Sequence, residues 1–482
     1  MSLSASGMEQ PGQVTFRDPG GQLVARNGRI FRAVSHEGVE CARIFLRAAE
    51  LEPLRRSGNL VRSRQLSDDE AKSEGFSGCA LVLEHEAVFF PSYPSEWTPE
   101  MLAAAGHLTL DIMEAALRSG ASLKDATPYN ILFEGAKPVF VDALSLEPRS
   151  PGNPIWLALT QFQRTFLYPL AAAATCGIPL TTSIGLNREG PEPEHMTAWA
   201  GPVRRWLPPI LGLATLPSLL NRAARVQEQS FYRQDHTTSP EKARFILGRA
   251  ITRLRAKLDR FQQVRPTATR WTDYQGDACH YSSGDLETKD HFVRNALSGL
   301  PPASRVLDVG ANLGRYSELA TQLGHRVVAI DSDTSVADRL FRKAAGTRAD
   351  ILPLVVDLSA PTPATGWDNS ETLSFLQRAE GKFDAVLMLA VVHHLLVTHR
   401  IPLGQIVRLA SRITKDQLVI EFVAANDPQF VRLCRGREAL HAGHSVAAWE
   451  SEWASAFKIR DRLTLPDSGR ILYSLNSRNG IN

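Results

Sequence analysis

The second half of the chain alternates short apolar runs with longer stretches of helical periodicity. The runs are five to seven residues long and rich in Val, Ile and Leu, which is typical of parallel strands covered on both faces. Between them, apolar residues recur every three or four positions. This alternation predicts a doubly wound α/β sheet with strands at 305–309, 326–330, 351–356, 383–389 and 417–422.

Two further strands near the C-terminal end are joined by a turn instead of a helix. The predicted strands 458–465 and 470–476 flank the sequence Pro-Asp-Ser-Gly, which favours a tight turn. The mostly parallel sheet is therefore expected to end in an antiparallel hairpin.

The first half mixes strand and helix signals and predicts an α+β domain. A hairpin is expected at 22–34, where Asn27-Gly28 supplies the turn. A helix is expected to begin after Thr98, a capping residue, and to stop at Gly120. Two apolar stretches, 166–180 and 206–220, are too short to span a bilayer and contain proline, so both are predicted to be buried helices.

A length of 482 residues predicts two or three domains. The expected boundaries place a flexible tail at 1–20, an N-terminal α+β domain at 21–265, a linker leading into the next domain at 266–290, and a C-terminal domain at 291–482. The pattern leaves the oligomeric state open.

Composition narrows the class of protein. The 54 basic and 51 acidic residues give a formal net charge of +3, which argues against a dedicated nucleic-acid binder. The five cysteines lie far apart and form no Cys-x-x-Cys pair, so neither a zinc site nor a disulfide framework is indicated. No targeting segment or membrane span is expected, and a cytoplasmic location fits best.

A glycine-rich turn follows the first predicted strand of the second half. Residues 306–317 read Val-Leu-Asp-Val-Gly-Ala-Asn-Leu-Gly-Arg-Tyr-Ser, in which Gly310 and Gly314 let the backbone approach a ligand closely. A dinucleotide fingerprint would need glycine where Asn312 and Arg315 stand.

The charge of this turn favours S-adenosylmethionine (SAM) over NAD. Asp308 lies two residues before the first glycine of the turn, where its carboxylate would repel a pyrophosphate and attract the ammonium group of a methionine. Asp331 ends the second strand, where it can accept hydrogen bonds from ribose hydroxyls, with Asp333 as the substitute. Asp357 and Leu358 follow the third strand, placed for the adenine. The alternative is that these acids only cap the following helices.

These motifs resemble those of class I SAM-dependent methyltransferases, and more narrowly those of the NoeA-like group of nodulation proteins. The similar segments are 306–317, 387–396 and 418–423, with Trp271-Thr-Asp-Tyr274 and the spacing of Tyr281, Lys289 and Phe292 upstream. The resemblance implies a Rossmann-like fold with a terminal hairpin and SAM as the cofactor. It does not imply an acceptor.

Three residues are candidates for the chemistry of methyl transfer. His393 and His394 follow the fourth strand, where a base could orient or deprotonate an oxygen acceptor. Their alternative roles are packing and helix capping. Glu421, at the end of the fifth strand, could orient substrate or base, or be a buried acid bonded to backbone amides. The expected acceptor is a small molecule or a glycan, and the absence of an Asn-Pro-Pro-Tyr run disfavours a nucleic acid base.

The first half carries a second constellation that weakly resembles the catalytic region of protein kinases. Asp125, Asn130 and Asp142 have the spacing of a kinase base and two magnesium ligands. Leu-Lys replaces His-Arg, Asp-Ala-Leu replaces Asp-Phe-Gly, and no glycine loop is evident. Two alternatives to a methyltransferase with an accessory domain therefore remain: a bifunctional enzyme with phosphotransfer and a magnesium site here, or a non-catalytic scaffold.

Overall fold

The structure is a computed structural model that describes residues 17–185, 187–224, 238–262 and 281–478. The predicted tail up to residue 16, most of the predicted linker, Trp271-Thr-Asp-Tyr274 and Cys279 lie outside the described residues. The cysteines of the described part are Cys41, Cys79, Cys176 and Cys434, and each has a free thiol.

The chain divides into two compact units. Unit 1 holds the described residues up to 262 together with Ala364–Leu373, and unit 2 holds those from 281 onward without that segment. The sequence predicts 364–373 to be part of the C-terminal domain, whereas the structure groups it with unit 1. There Glu371 forms ion pairs with Arg17 and, at 3.0 Å between Nη1 and Oε2, with Arg188.

Unit 1 is built from short strands and helices of very different lengths. Its strands are β1 Gly21–Arg26, β2 Arg29–Val34, β3 Ser63–Gln65, β4 Leu81–His85, β5 Ala121–Leu123, β6 Ile131–Glu134, β7 Lys137–Phe140 and β8 Leu146–Pro148. Its helices are α1 Val39–Arg47, α2 Glu52–Arg56, α3 Asp68–Ser73, α4 Pro99–Arg118, α5 Leu159–Phe162, α6 Tyr168–Cys176, α7 Leu180–Ser183, α8 Pro193–Arg204, α9 Leu216–Ala224 and α10 Pro240–Gln262.

The local signals of unit 1 are confirmed. Strands β1 and β2 pair as an antiparallel hairpin, with Asn27 and Gly28 at positive φ in the turn. Helix α4 begins where the Thr98 hydroxyl accepts a hydrogen bond from the Met101 amide at 3.2 Å. The first four strands form one sheet in the order β1-β2-β4-β3, and two small two-stranded sheets follow, so the α+β prediction is confirmed.

One of the two apolar stretches behaves differently from its prediction. Phe166, Leu167 and Leu170 are fully buried, as expected for 166–180. The prediction that 206–220 is a buried helix is wrong, because Trp206 and Leu207 are exposed and further leucines after them face outward. Hydrophobicity alone does not tell which face of a helix is covered. No helix of the described residues is long and apolar enough to cross a membrane.

Unit 2 alternates strands and helices until its final hairpin. Its strands are β9 Arg305–Val309, β10 Arg326–Asp331, β11 Ile351–Val355, β12 Phe383–Met388, β13 Thr414–Phe422, β14 Phe457–Thr464 and β15 Ile471–Ser477. Its helices are α11 Ser283–Ser298, α12 Arg315–Gln322, α13 Thr334–Thr347, α14 Phe375–Ala379, α15 Leu403–Ile413, α16 Pro428–Cys434 and α17 Val446–Trp453.

The seven strands of unit 2 form one sheet in the order β11-β10-β9-β12-β13-β15-β14. The strands from β9 to β13 pair in parallel, and β15 pairs antiparallel with both β13 and β14. Strand β15 thus lies between β13 and its hairpin partner. This is the strand order of the Rossmann-like class I methyltransferase fold, so the prediction of fold class is confirmed. The carboxyl ends of β9 to β13 meet at one edge, where ligands bind in such sheets.

Candidate active site

The glycine-rich turn lies between β9 and α12 at the carboxyl edge of the sheet. The Gly310 and Ala311 amides both donate to the Ile330 carbonyl, at 2.8 and 3.1 Å, which fixes the turn to β10. Gly310 and Gly314 have φ of +67° and +80°. A Cβ would stand 2.5 Å from Val391 Cγ2 at the first position and 2.3 Å from Leu340 Cδ1 at the second. Both positions therefore require glycine.

Asp308 is buried beneath this turn. Its Oδ2 accepts a hydrogen bond of 2.6 Å from the Ser317 hydroxyl on α12. Burial and the nearby carboxylate of Asp331 together raise the pKa of Asp308 to about 7, against the opposing effect of the Ser317 hydrogen bond. A carboxyl group in this state gains a full negative charge when a cation binds beside it.

Asp331, at the end of β10, braces the glycine-rich turn. Its two oxygens accept hydrogen bonds from the backbone amides of Asn312, at 3.0 Å, and of Asp333, at 2.9 Å. Burial raises the pKa of Asp331, and these two amides oppose that shift. Asn312 has φ of +48° and bonds its own side chain to the Leu313 amide, so it completes the turn.

The remaining two acids hold the backbone after their strands. Asp333 caps α13 by accepting from the Ser335 amide at 2.8 Å, as its alternative role proposed. Asp357 accepts from both the amide and the hydroxyl of Ser359, and Leu358 beside it is buried. Because β9, β10 and β11 are neighbours in the sheet, the acids after these strands share one edge.

His393 and His394 stand at the start of a π-helix, His394–Thr398, after β12. Their rings lie 4.3 Å apart between centroids. His393 is 3% exposed, and its Nδ1 has no hydrogen-bond partner among the described residues. Burial lowers the pKa of His393 well below its ordinary value, and His394, Arg470 and Lys289 lower it further. The ring is therefore neutral at physiological pH.

Glu421 is the centre of a buried network of ionised side chains. Its Oε2 lies 2.6 Å from Lys289 Nζ, and its Oε1 accepts a hydrogen bond of 2.5 Å from the Tyr281 hydroxyl. Arg470 donates to Tyr281 at 2.6 Å and pairs with Asp427 at 2.8 Å. Burial alone would raise the pKa of Glu421, but Lys289 and Arg470 more than offset it and lower this pKa.

Sequence reasoning found only part of this network. It singled out Glu421 for its place after a strand, and Tyr281 and Lys289 for their spacing, but offered backbone amides as the partners of the acid. It missed Arg470 and Asp427. Lys289 and Glu421 are 132 positions apart, and Tyr281 and Arg470 are 189 positions apart. No local sequence pattern can therefore predict these contacts.

Two more features adjoin these groups. The Tyr316 hydroxyl on α12 is buried without a hydrogen-bond partner among the described residues, and Lys289 Nζ lies 5.4 Å from the centroid of its ring. A cavity of about 250 Å³ lies against the π-helix after His394. Its lining combines apolar side chains such as Leu396 and Leu433 with two arginines and a histidine.

The second constellation lies within unit 1, where the structure brings its side chains together. Asn130 Nδ2 donates to the Asp125 carbonyl at 3.3 Å and to the Ser145 hydroxyl at 3.1 Å. That hydroxyl bonds to Asp142, whose Oδ1 lies 3.3 Å from Nη1 of the buried Arg32. Burial raises the pKa of Asp125, and Asp142 raises it further. Among the described residues, no group of three His, Cys, Asp or Glu side chains could hold a metal ion.

Comparison with known proteins agrees with the strand order and the motifs. The chain is 29% identical to nodulation protein NoeA of Rhizobium meliloti (strain 1021) over 476 residues, which cover 96% of each protein. This similarity to NoeA extends over both units and confirms the resemblance indicated by the motifs. No family model matches the chain.

Solved structures with partial similarity include two methyltransferases. The N-methyltransferase NodS from Bradyrhizobium japonicum WM9 is 13% identical, with a TM-score of 0.30, and covers 41% of this chain and 98% of its own. The magnesium protoporphyrin IX methyltransferase ChlM from Synechocystis PCC 6803 is 16% identical, with a TM-score of 0.29, over 40% of this chain and 85% of its own. The fold assignment rests on the strand order and not on these similarities.

Proposed function

We propose that the chain is a cytoplasmic SAM-dependent methyltransferase that methylates an oxygen atom of a small-molecule or glycan acceptor. One observation carries the proposal. Three acids, Asp308, Asp331 and Asp357, lie at or just after the carboxyl ends of neighbouring strands of a class I methyltransferase sheet. They surround a turn that requires glycine at two positions. Solved structures of geranyl diphosphate C-methyltransferase from Streptomyces coelicolor and of ChlM contain S-adenosyl-L-homocysteine.

The residues at this edge fit SAM. The buried carboxyl of Asp308 would bind the ammonium group of the methionine moiety, because a cation stabilises its ionised form. Asp331, with Asp333 as the substitute, would accept from the ribose hydroxyls. Asp357 and Leu358 would contact the adenine, the first by hydrogen bonding and the second by packing. Bound SAM supplies an electrophilic methyl group.

His393 is our candidate for the base that receives the proton of a hydroxyl acceptor. It is neutral, buried, and its Nδ1 has no partner among the described residues. A base must lie within hydrogen-bond reach of the proton that it removes, so the hydroxyl of the acceptor would have to approach the His393 ring. Glu421 then acts through its contacts: it neutralises Lys289 and Arg470, the two cations that lower the pKa of His393.

Isothermal titration calorimetry with SAM tests the cofactor assignment. We expect wild-type protein to bind SAM, and Asp308→Ala and Gly310→Arg to lose binding. Two matched controls should bind normally. Asp384→Ala removes an acid that accepts from the Arg305 amide at the opposite edge of the sheet. Gly346→Arg adds a side chain to α13 at a position where no other atom lies within 4 Å of the Cβ it would introduce. Absence of binding by the wild type at millimolar SAM would contradict the proposal.

Methyl transfer itself tests His393. Incubation with methyl-labelled SAM and an extract of the source organism identifies the labelled product, which then serves as the assay. We expect His393→Ala to reduce kcat roughly 100-fold or more while SAM affinity is retained. His394→Ala should reduce kcat less. The control is His399→Ala at an exposed position, which should turn over as the wild type does. Since the pKa of His393 is lowered, kcat at saturating SAM should not fall near pH 6.5, where an ordinary histidine gains its proton. Wild-type turnover by both His393→Ala and His394→Ala would assign these residues to packing.

A further inference from the structure

Unit 1 contains a helix whose apolar face points outward. A π-helix, Leu211–Thr215, continues directly into α9. Leu213, Ala214 and Ser218 are buried, whereas Leu216, Leu219 and Leu220 are exposed. The three leucines are three, four and one positions apart, so they share one face of the helix. A buried serine opposite exposed leucines is the reverse of a normal amphipathic surface helix.

Hydrogen bonds hold the helix in this orientation. The buried Ser218 hydroxyl donates to Glu194 Oε1 at 3.1 Å, and the Thr215 hydroxyl donates to the Arg205 carbonyl at 2.6 Å. Rotating the leucines inward would break both of these bonds. The outward orientation of the leucines is thus fixed by the fold of unit 1.

The turn before this helix enlarges the exposed surface. We define the apolar face as Val203, Trp206, Leu207, Leu216, Leu219 and Leu220, whose exposures range from 44% to 72%. Of the 13 exposed large apolar side chains in the described residues, these six fall within 18 residues of sequence. Val203 lies on α8, Trp206 and Leu207 lie in the turn after it, and the three leucines lie on α9, which packs against α8. Clustering of this kind marks an interaction site, whereas scattered single residues do not.

The stretch of sequence that carries the apolar face is basic. No Asp or Glu occurs between His195 and Gln227, a stretch of 33 residues that contains four arginines. The Arg204 side chain is exposed, and the Arg205 guanidinium lies 5.8 Å from the centroid of the Trp206 ring. The partner surface must therefore be apolar and negatively charged.

We propose that the apolar face docks unit 1 onto the surface of an anionic lipid bilayer. The leucines and Val203 enter the acyl boundary, Trp206 lies at the level of the headgroups as tryptophans do at membrane interfaces, and the arginines bind lipid phosphates. The contact we propose is peripheral, and no helix of the described residues is both long and apolar enough to span a bilayer. This docking is independent of the methyltransferase site, which lies in unit 2.

Vesicle co-sedimentation of the full-length protein tests the proposal. Vesicles of phosphatidylcholine alone are compared with vesicles in which about one-third of the lipid is phosphatidylglycerol. We expect binding to the anionic vesicles that weakens with added salt, and much less binding to the neutral ones. Trp206→Ser/Leu219→Ser should bind at least tenfold more weakly. The control Trp367→Ser/Leu157→Ser removes the same two residue types at more exposed positions elsewhere in unit 1 and should bind as the wild type does.

The changed side chains are exposed, so the thermal midpoint of both double variants should match the wild type and report correct folding. Three results would overturn the proposal. They are no sedimentation with anionic vesicles at low salt, equal binding by wild type and Trp206→Ser/Leu219→Ser, and a wild-type dimer that this double variant dissociates while vesicles bind neither protein.

Discussion

At the scale of single residues, Asp308 combines a structural cost with a proposed ligand role. Its carboxyl is buried, and its pKa is raised to about 7, well above the ordinary value of an aspartic acid. The folded protein therefore favours the protonated carboxyl, while SAM would favour the carboxylate. Functional sites commonly hold such conflicts, because a group poised to bind a charged ligand is unstable without it.

The raised pKa of Asp308 predicts how the stability of the protein changes with pH. Because the folded pKa of Asp308 lies above the unfolded one, its contribution to stability is present below about pH 4 and is lost as pH rises through 7. Asp308→Asn imitates the protonated form and keeps an acceptor for Ser317. We expect it to stabilise the protein at pH 8, by at most about 4 kcal/mol, and to have little effect near pH 4. Thermal unfolding at both pH values measures this.

Asp384→Asn is the matched control, and we expect it to change the stability in the opposite direction. Burial would raise the pKa of Asp384, but bonds from Arg305 more than offset it and lower this pKa, so its loss should destabilise the protein at neutral pH. A destabilised Asp308→Asn at pH 8 would contradict our account of Asp308.

At the residue scale, sequence reasoning found the side chains of the site but not their state. Gly310 and the strand-end acids could be predicted because a strand, a turn and a helix start are local patterns. The raised pKa of Asp308 could not, since it depends on burial beneath a turn closed by Val391, a residue 81 positions away from Gly310.

At the scale of elements, the network around Glu421 joins α11 and β15 to β13. Lys289 comes from α11, Glu421 from β13, and Arg470 directly precedes β15. Their side chains are at most 3% exposed. Removing one member of a buried ion pair leaves the other charge without compensation, which costs about 3–5 kcal/mol.

The cost of leaving a buried charge without its partner predicts the effect of changing Glu421. We expect Glu421→Gln to lower the free energy of unfolding by about 3–5 kcal/mol, because Lys289 and Arg470 stay charged and buried. Lys289→Met/Glu421→Gln should cost less than the sum of the two single changes, with a coupling of about 1–3 kcal/mol. Urea unfolding of the wild type, the two single variants and the double variant measures this coupling. Lys415→Met, which removes an exposed partner of Asp384, should change little. Strict additivity would show that the network does not act as a unit.

The elements themselves were largely predictable, and their environment was not. Apolar runs gave the strands of unit 2 to within a few residues, because parallel strands buried on both faces have a distinctive composition. The stretch 206–220 shows the limit. Periodicity identifies which side chains share a face of a helix, but whether that face is covered depends on Glu194 and other residues outside the stretch.

At the scale of the whole molecule, two units of different architecture share one chain. Unit 2 carries the methyltransferase sheet, and the similarity to NoeA includes unit 1 as well. The question for unit 1 is whether its Asp125, Asn130 and Asp142 bind a nucleotide with magnesium. The strand-and-helix order there could be predicted from local signals, but the ion pair that decides this question could not, since Arg32 and Asp142 are 110 positions apart.

The contacts of Asp142 argue for a unit that does not bind magnesium nucleotide. Its Oδ1 faces Arg32 at 3.3 Å, and its Oδ2 accepts from Ser145, which is also bonded to Asn130. A magnesium ion prefers carboxylate oxygens that are free to coordinate it, and here it would have to displace a buried guanidinium. The charge of Asp142 is already compensated, so the energetic reason for binding a cation is weak.

We therefore expect SAM, but not ATP with magnesium, to raise the thermal midpoint of the full-length protein. A ligand at a hundred times its Kd stabilises by about 2.7 kcal/mol, which differential scanning calorimetry resolves readily. Asp308→Ala should abolish the shift caused by SAM, and Asp142→Asn should leave it intact. A shift caused by ATP with magnesium that Asp142→Asn removes would contradict this prediction and favour the bifunctional enzyme. The two variants lie in different units, so each serves as the control for the other. A shift caused by SAM would report binding to unit 2, and a shift caused by ATP with magnesium would report binding to unit 1.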